Sequence, residues 1–314
     1  PTSGIGGDDL LIEDADFTVD KYAEIMEGLL GDGDADLYVQ IFYFPDRIGH
    51  LFWRHVDEGH PLHDPVAATK YAPELLRAYK RMDDLVGRAR ELAGPEAAFL
   101  VVSDHGFSSY RRGLNTNTWL VRNGFMVLDG QGEAATLEDL FDTGDLFQNV
   151  DWSKTKAYAL GLGSVYVNLV GREKEGIDLP GTEYREVVEQ IREGLEALVD
   201  PETGERPVSR VWTRDEMYNQ YDPDVIPDLR VGNSLDYRVS WQTTLGGVPP
   251  DVIEDNTKPW SGDHCSNDPD VVRGIFFLNR EIESDRPGMV DVMPTVLRLL
   301  DLPVPDGLDG EPLL

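Results

Sequence analysis

The chain has 314 residues, 40% of them hydrophobic, with 11 Phe, 12 Tyr and 6 Trp, enough for the core of one large α/β domain or two small ones. Its 59 acidic residues against 28 basic ones give a formal net charge of -31, a surface that repels nucleic-acid polymers and anionic membranes, so neither is expected as a partner. One cysteine, Cys265, excludes an intrachain disulfide and a thiol-rich zinc finger, and no apolar run is long enough for a membrane span.

Residues 1–16 are rich in Gly and Asp without clear periodicity and read as a surface segment. Tyr22, Ile25, Met26 and Leu29 then recur at helical spacing, with Gly31 as a stop. Asp32-Gly33-Asp34-Ala35-Asp36 resembles the start of a calcium loop, but Leu37 and Tyr43 stand where its Gly and Glu belong, so a solvated turn is expected. Residues 37–44 (LYVQIFYF) are an apolar run read as a strand ending at Pro45-Asp46. The spacing of Leu75, Leu76, Tyr79, Met82, Leu85 and Val86 predicts a helix over 73–92. Residues 99–103 (FLVVS) read as a second buried strand that runs into Asp104-His105-Gly106. Strand, helix, strand predicts a right-handed crossover with parallel pairing.

Further along, 114–128 reads as a short helix followed by the short strand FMVL, 165–170 as a strand and 184–199 as an amphipathic helix. Residues 228–231 read as a short strand, 245–262 as loop and 274–278 (GIFFL) as a late buried strand. Residues 291–300 read as a helix that tolerates Pro294 in its first turn. With no repeat or low-complexity linker, one domain is expected, in which 152–212 forms a subdomain or insertion.

In open α/β sheets ligands bind beyond the carboxyl ends of the strands, which is where Asp104 and His105 fall. Asp46 and His50 stand four apart just after the 37–44 run, so on a helical turn they share a face. His264 closes the sequence WSGDH shortly before GIFFL. Taken singly, each is as well read as a capping carboxylate or a hydrogen-bonded structural histidine. Together, Asp46, His50, Asp104, His105 and His264 offer too many O/N ligands for one tetrahedral zinc and suit two metals sharing a site. Such metals would supply the positive charge that an anionic substrate needs on so acidic a protein, although the acidity equally suits solubility at high salt. His55, His60 and His63 have no strand end to aim them and read as surface residues.

The ordered motifs DR..GH..W (from Asp46), SDHGF (from Ser103) and GDH (from Gly262) resemble the alkaline phosphatase superfamily, in its type I phosphodiesterase/nucleotide pyrophosphatase branch. Residues 113–120 (GLNTNTWL), 152–158 (WSKTKAY), 165–169 (VYVNL), 291–300 and 306–313 (DGLDGEPL) are similar to the same branch, so the likeness runs from about Tyr22 onward. The resemblance implies a three-layer α/β fold with a mostly parallel central sheet and helices on both faces. It implies two divalent metals, zinc by default with manganese or iron as substitutes. Asp46, His50 and His264 would hold one, and Asp104 and His105 the other. The implied activity is hydrolysis of a small-molecule phosphate ester, as a phosphodiesterase or nucleotide pyrophosphatase. A sulfatase is the nearest alternative chemistry, but Cys265 beside His264 does not match its modified-residue motif.

One departure stands out. The family's additional metal-binding Asp and its Thr or Ser nucleophile lie on a first strand and the helix after it, and nothing before Asp46 resembles either. Thr2-Ser3 lacks that context, so no catalytic nucleophile is assigned. The expectation is therefore a phosphodiesterase domain over 1–314 whose N-terminal part is missing. The alternative is a non-catalytic metal-binding relative acting as an interaction protein. The single cysteine and the lack of a basic-apolar leader point to the cytoplasm. Specificity is assigned to the loops 131–150 and 235–259, which carry no readable substrate code.

Overall fold

A computed structural model describes residues 6–129, 146–147 and 149–314, which leaves Thr2, Ser3 and most of the 131–150 loop outside the description. The chain divides into two compact units, residues 1–58, 64–106 and 273–314 forming the first and 59–63 and 107–272 the second. The segment 152–212 lies wholly inside the second.

Helices dominate the first unit: α1 (Asp8–Asp32), α2 (Phe44–Val56) and α3 (Pro65–Ala93). α1 starts at Asp8, well before the apolar spacing that begins at Tyr22. Leu11, Ala15, Val19, Ala23 and Met26 form its buried stripe, a pattern the alanines and acidic residues obscure in the sequence. It ends at Gly33, whose φ of 68° is the left-handed conformation that glycine adopts freely. α3 also begins earlier than expected, because Asp64 caps it by accepting from Val66 N at 2.8 Å and Pro65 occupies the first turn, while Pro73 is carried inside the helix. A ladder of pairs with a constant offset of 61 residues joins α1 to α3: Asp9–Lys70, Asp16–Arg77, Asp20–Arg81 and Glu27–Arg88. A constant offset means that the two helices run parallel. The pairs are mostly exposed and set register more than stability.

The 37–44 run is not a strand. Residues 37–43 are without helix or strand, with Leu37, Val39, Ile41 and Tyr43 exposed, and Phe44 already belongs to α2. The 99–103 run keeps its strand character as β1 (Leu100–Val102). Its partner is the late strand Phe276–Leu278, and the pairing is antiparallel, with Leu100 opposite Leu278. That late strand is not buried as expected; Phe277 is 64% exposed. A 3-10 turn at Met289–Asp291 leads into the last helix, Val292–Leu299, which carries Pro294 near its start.

In the second unit, β2 (Ser108–Leu114) is followed by α4 (Thr116–Arg122), β3 (Ala157–Leu160), β4 (Ser164–Val167) and α5 (Thr182–Glu196). β5 (Val208–Thr213), β6 (Leu229–Asn233), β7 (Asp236–Val239), β8 (Ile253–Asp255) and β9 (Gly262–Asp263) complete it. One sheet has the order β3-β4-β6-β5, and the other β7-β2-β8 with β9 also on β2. Among the described strands only β2 with β7 pairs parallel, so the expectation of a mostly parallel sheet is corrected: the sheets are mostly antiparallel. Hairpins, rather than crossover helices, connect strands such as β3 and β4, and a short hairpin imposes antiparallel pairing. The core sits between the four-stranded β3-β4-β6-β5 sheet and the apolar faces of α4 and α5, where Trp119, Leu120, Ile191 and Leu195 meet Val165, Val167 and Val231.

Buried charge braces this unit. Asp228, fully buried, accepts from Val167 N at 2.7 Å, Tyr184 Oη at 3.0 Å and Arg172 Nη2 at 2.7 Å, and pairs with Arg214 at 3.2 Å. Among the described residues no helix is long and apolar enough to cross a membrane.

Candidate metal centre

Asp46 and His50 lie on α2, as their spacing predicts. Pro45 fixes the backbone of the first turn and places the Asp46 carboxylate at the positive end of the helix. Phe44, Ile48, Leu51 and Phe52 bury the helix and so hold its rotation. His50 Nε2 then stands 3.3 Å from Asp46 Oδ1, with His50 buried and the carboxylate partly open.

β1 ends at Val102 and delivers Asp104 and His105 beyond its carboxyl end. His105 Nδ1 lies 2.9 Å from Gly106 O. A carbonyl only accepts, so Nδ1 is the donor here and Nε2 is the nitrogen turned to the carboxylates. Nε2 is 3.5 Å from Asp104 Oδ2, and that carboxylate is mostly exposed. Within the first unit, Asp46 and His105 each offer a ligand atom, and the two atoms are within 4.8 Å of each other. A carboxylate and a neutral imidazole at that separation form a donor pair that fits a borderline divalent cation. The acidic neighbours Asp46 and Asp104 therefore both border His105.

His264 belongs to the second unit and follows β9 directly. β9 lies antiparallel to the start of β2, with Ser108 opposite Asp263. Phe107 meets the His264 ring edge-on, with centroids 5.6 Å apart. The residue before it, Asp263, is 3% exposed and ion-paired with Arg238 at 2.9 Å. Burial raises the Asp263 carboxyl, but Arg238 and the donors from Cys265 and Trp260 more than offset it, and the group titrates below the usual carboxylate range. Burial, with the Asp263 charge beside it, pushes the Cys265 thiol up to about 12, which makes it a poor thiolate nucleophile.

Two of the other histidines correct the surface reading. His55 is 4% exposed, packed on Tyr71 with ring centroids 5.1 Å apart and 3.4 Å from Asp8. His60 is 3% exposed; its Nδ1 accepts from Leu62 N at 3.0 Å, which leaves Nε2 to donate to Tyr110 O at 3.0 Å. His63 is intermediate in exposure. Both buried rings serve local packing, which composition alone does not reveal. The residues that sequence reasoning missed are Asp263, visible in GDH but not used, and Arg238, for which no local signal exists.

The chain matches the family model for type I phosphodiesterase / nucleotide pyrophosphatase over residues 11–247. No curated protein matches it at a significant level.

Proposed function

Since this chain belongs to the type I phosphodiesterase / nucleotide pyrophosphatase family, we propose that it is a metal-dependent hydrolase of small-molecule phosphate esters. Its metal ligands are proposed to be Asp46, His50, Asp104, His105 and His264. The observation that carries the reading is the convergence in the first unit, where Asp46 holds His50 at 3.3 Å and lies within 4.8 Å of a His105 ligand atom. Two divalent ions, zinc by default and manganese or iron by the same O/N donor chemistry, would polarise the phosphoryl oxygens and stabilise charge on the attacking and leaving oxygens.

The chain's own residues prepare that site. The Gly106 carbonyl accepts from His105 Nδ1, which leaves Nε2 as the ring nitrogen that would face a cation. The Asp46 carboxylate benefits from the α2 N-terminus, which favours its ionised, ligating form. Cation binding would offset part of the net charge of -31 that otherwise repels a phosphate ester. No nucleophile is assigned. A metal-binding relative without turnover is the second reading.

Metal titration alongside hydrolysis of bis(p-nitrophenyl) phosphate separates the two. Metal binding with turnover supports the hydrolase, and metal binding without turnover supports the second reading. A folded protein that binds no divalent metal refutes both.

A further inference from the structure

The side chain immediately before His264 is built into the protein in a way that stability does not explain. Asp263 Oδ1 accepts from Cys265 N at 2.5 Å, so the carboxylate reaches across His264 and closes the turn at whose tip that histidine stands. Asp263 Oδ2 accepts from Trp260 Nε1 at 2.6 Å and faces Arg238 Nε at 2.9 Å. The Arg238 guanidinium is itself fixed: Nη1 donates to Val239 O at 2.9 Å, and its plane lies over Trp241 at 4.2 Å and Tyr110 at 5.1 Å. Trp241 in turn meets the Trp260 ring edge-on at 5.8 Å. Asn256 holds Trp260 O at 2.7 Å and Tyr110 O at 2.8 Å. Arg238 and Trp260 are therefore each held from a second direction. Arg238 and Asp263 are 2% and 3% exposed. A pair so deeply buried gains little net stability once desolvation is counted, whereas it fixes direction strongly.

We propose that Asp263 and Arg238 are positioning residues for His264, holding its imidazole ready for a divalent cation. This rests on the reading of His264 as a metal ligand. Neither residue touches the metal. Outer partners of ligands typically change metal affinity by about 10–100-fold.

Cobalt(II) is the probe, because its visible absorption reports the ligand set independently of any activity. Affinity is measured by competition with a chelating dye, and unfolding midpoints confirm that each variant is folded. Asp263→Asn is expected to weaken cobalt binding by ~10–100-fold and to change the spectrum. The same substitution added to His264→Ala should cost nothing further. Asp263→Asn leaves Arg238 buried without its counter-charge, so Trp260→Phe, which deletes one restraint on the carboxylate without altering charge, serves if that variant does not fold. It should shift affinity in the same direction by a smaller factor. If His264→Ala leaves affinity and spectrum unchanged, the ligand reading itself fails. If His264→Ala weakens binding while the folded positioning variants bind with native affinity and spectrum, the positioning inference is overturned. Equal losses from Asp263→Asn with and without His264 would also overturn it.

Discussion

Replacing Asp178 by Asn is expected to stabilise the protein increasingly as pH rises from 3.8 to about 6, and fully above that. Asp178 is 1% exposed, and its Oδ2 has no hydrogen-bond partner among the described residues. Burial, only partly countered by Lys156 and reinforced by Glu183, raises its carboxyl from the ordinary 3.8 to about 6. The native state therefore holds this proton more tightly than the unfolded chain does. Stability falls as pH rises from 3.8 to about 6 and stays lowered above that range. The gap between those two values corresponds to a penalty of ~3 kcal/mol. Asn keeps the shape and has no proton to lose. Urea unfolding of both proteins at intervals from pH 4 to pH 8 should give curves that coincide at the acid end. They should separate progressively, with the variant more stable by up to ~3 kcal/mol at the alkaline end. A difference that does not vary with pH, or a variant less stable at pH 8, would refute the buried carboxylate with its unpartnered Oδ2.

Asp228→Ala would strand Arg172 and Arg214 beside an empty position, and a cost of ~3–5 kcal/mol in urea unfolding is expected; a cost under ~1 kcal/mol would mean that the network is looser than its distances. Two glycines make a matched test of crowding. A methyl on Gly176 would fall 1.9 Å from Leu169 O, so Gly176→Ala should lower the thermal midpoint. Gly87, exposed in α3 with nothing within 4 Å, should accept Ala with a gain of ~0.5–1 kcal/mol. The same sign for both would contradict the packing of the 169–178 loop.

The candidate site was more legible in the sequence than the sheets were. Asp46 and His50 share a helix face because four residues make about one turn, and that rule needs no tertiary information. Asp104-His105 at the end of an apolar strand was likewise local. Pairing was not local. The apolar run 37–44 looks like a strand, yet among the described residues it finds no ladder partner and forms no strand, and Phe44 joins α2. Conversely β2, Ser108–Leu114, is assigned no strand from the sequence, being largely polar with Arg112 inside it. That arginine is buried only because Asp200, at 2.6 Å, and Asp255, at 2.6 Å, come from distant segments to neutralise it. The Asp263–Arg238 pair is invisible for the same reason, being 25 residues apart in sequence and joined only by the fold. The early start of α1 was hidden differently, since its inward positions include the small residues Ala15 and Ala23, which hydrophobic periodicity underweights.

Metal content tests the central claim most directly. The purified chain, stripped with chelator and re-equilibrated with zinc or manganese, should take up close to two ions per molecule. Asp46→Asn and His105→Ala should lose bound metal while keeping the unfolding profile of the metal-stripped parent. A folded protein that takes up neither ion, or variants that bind as much metal as the parent, would contradict the assignment of these side chains as metal ligands.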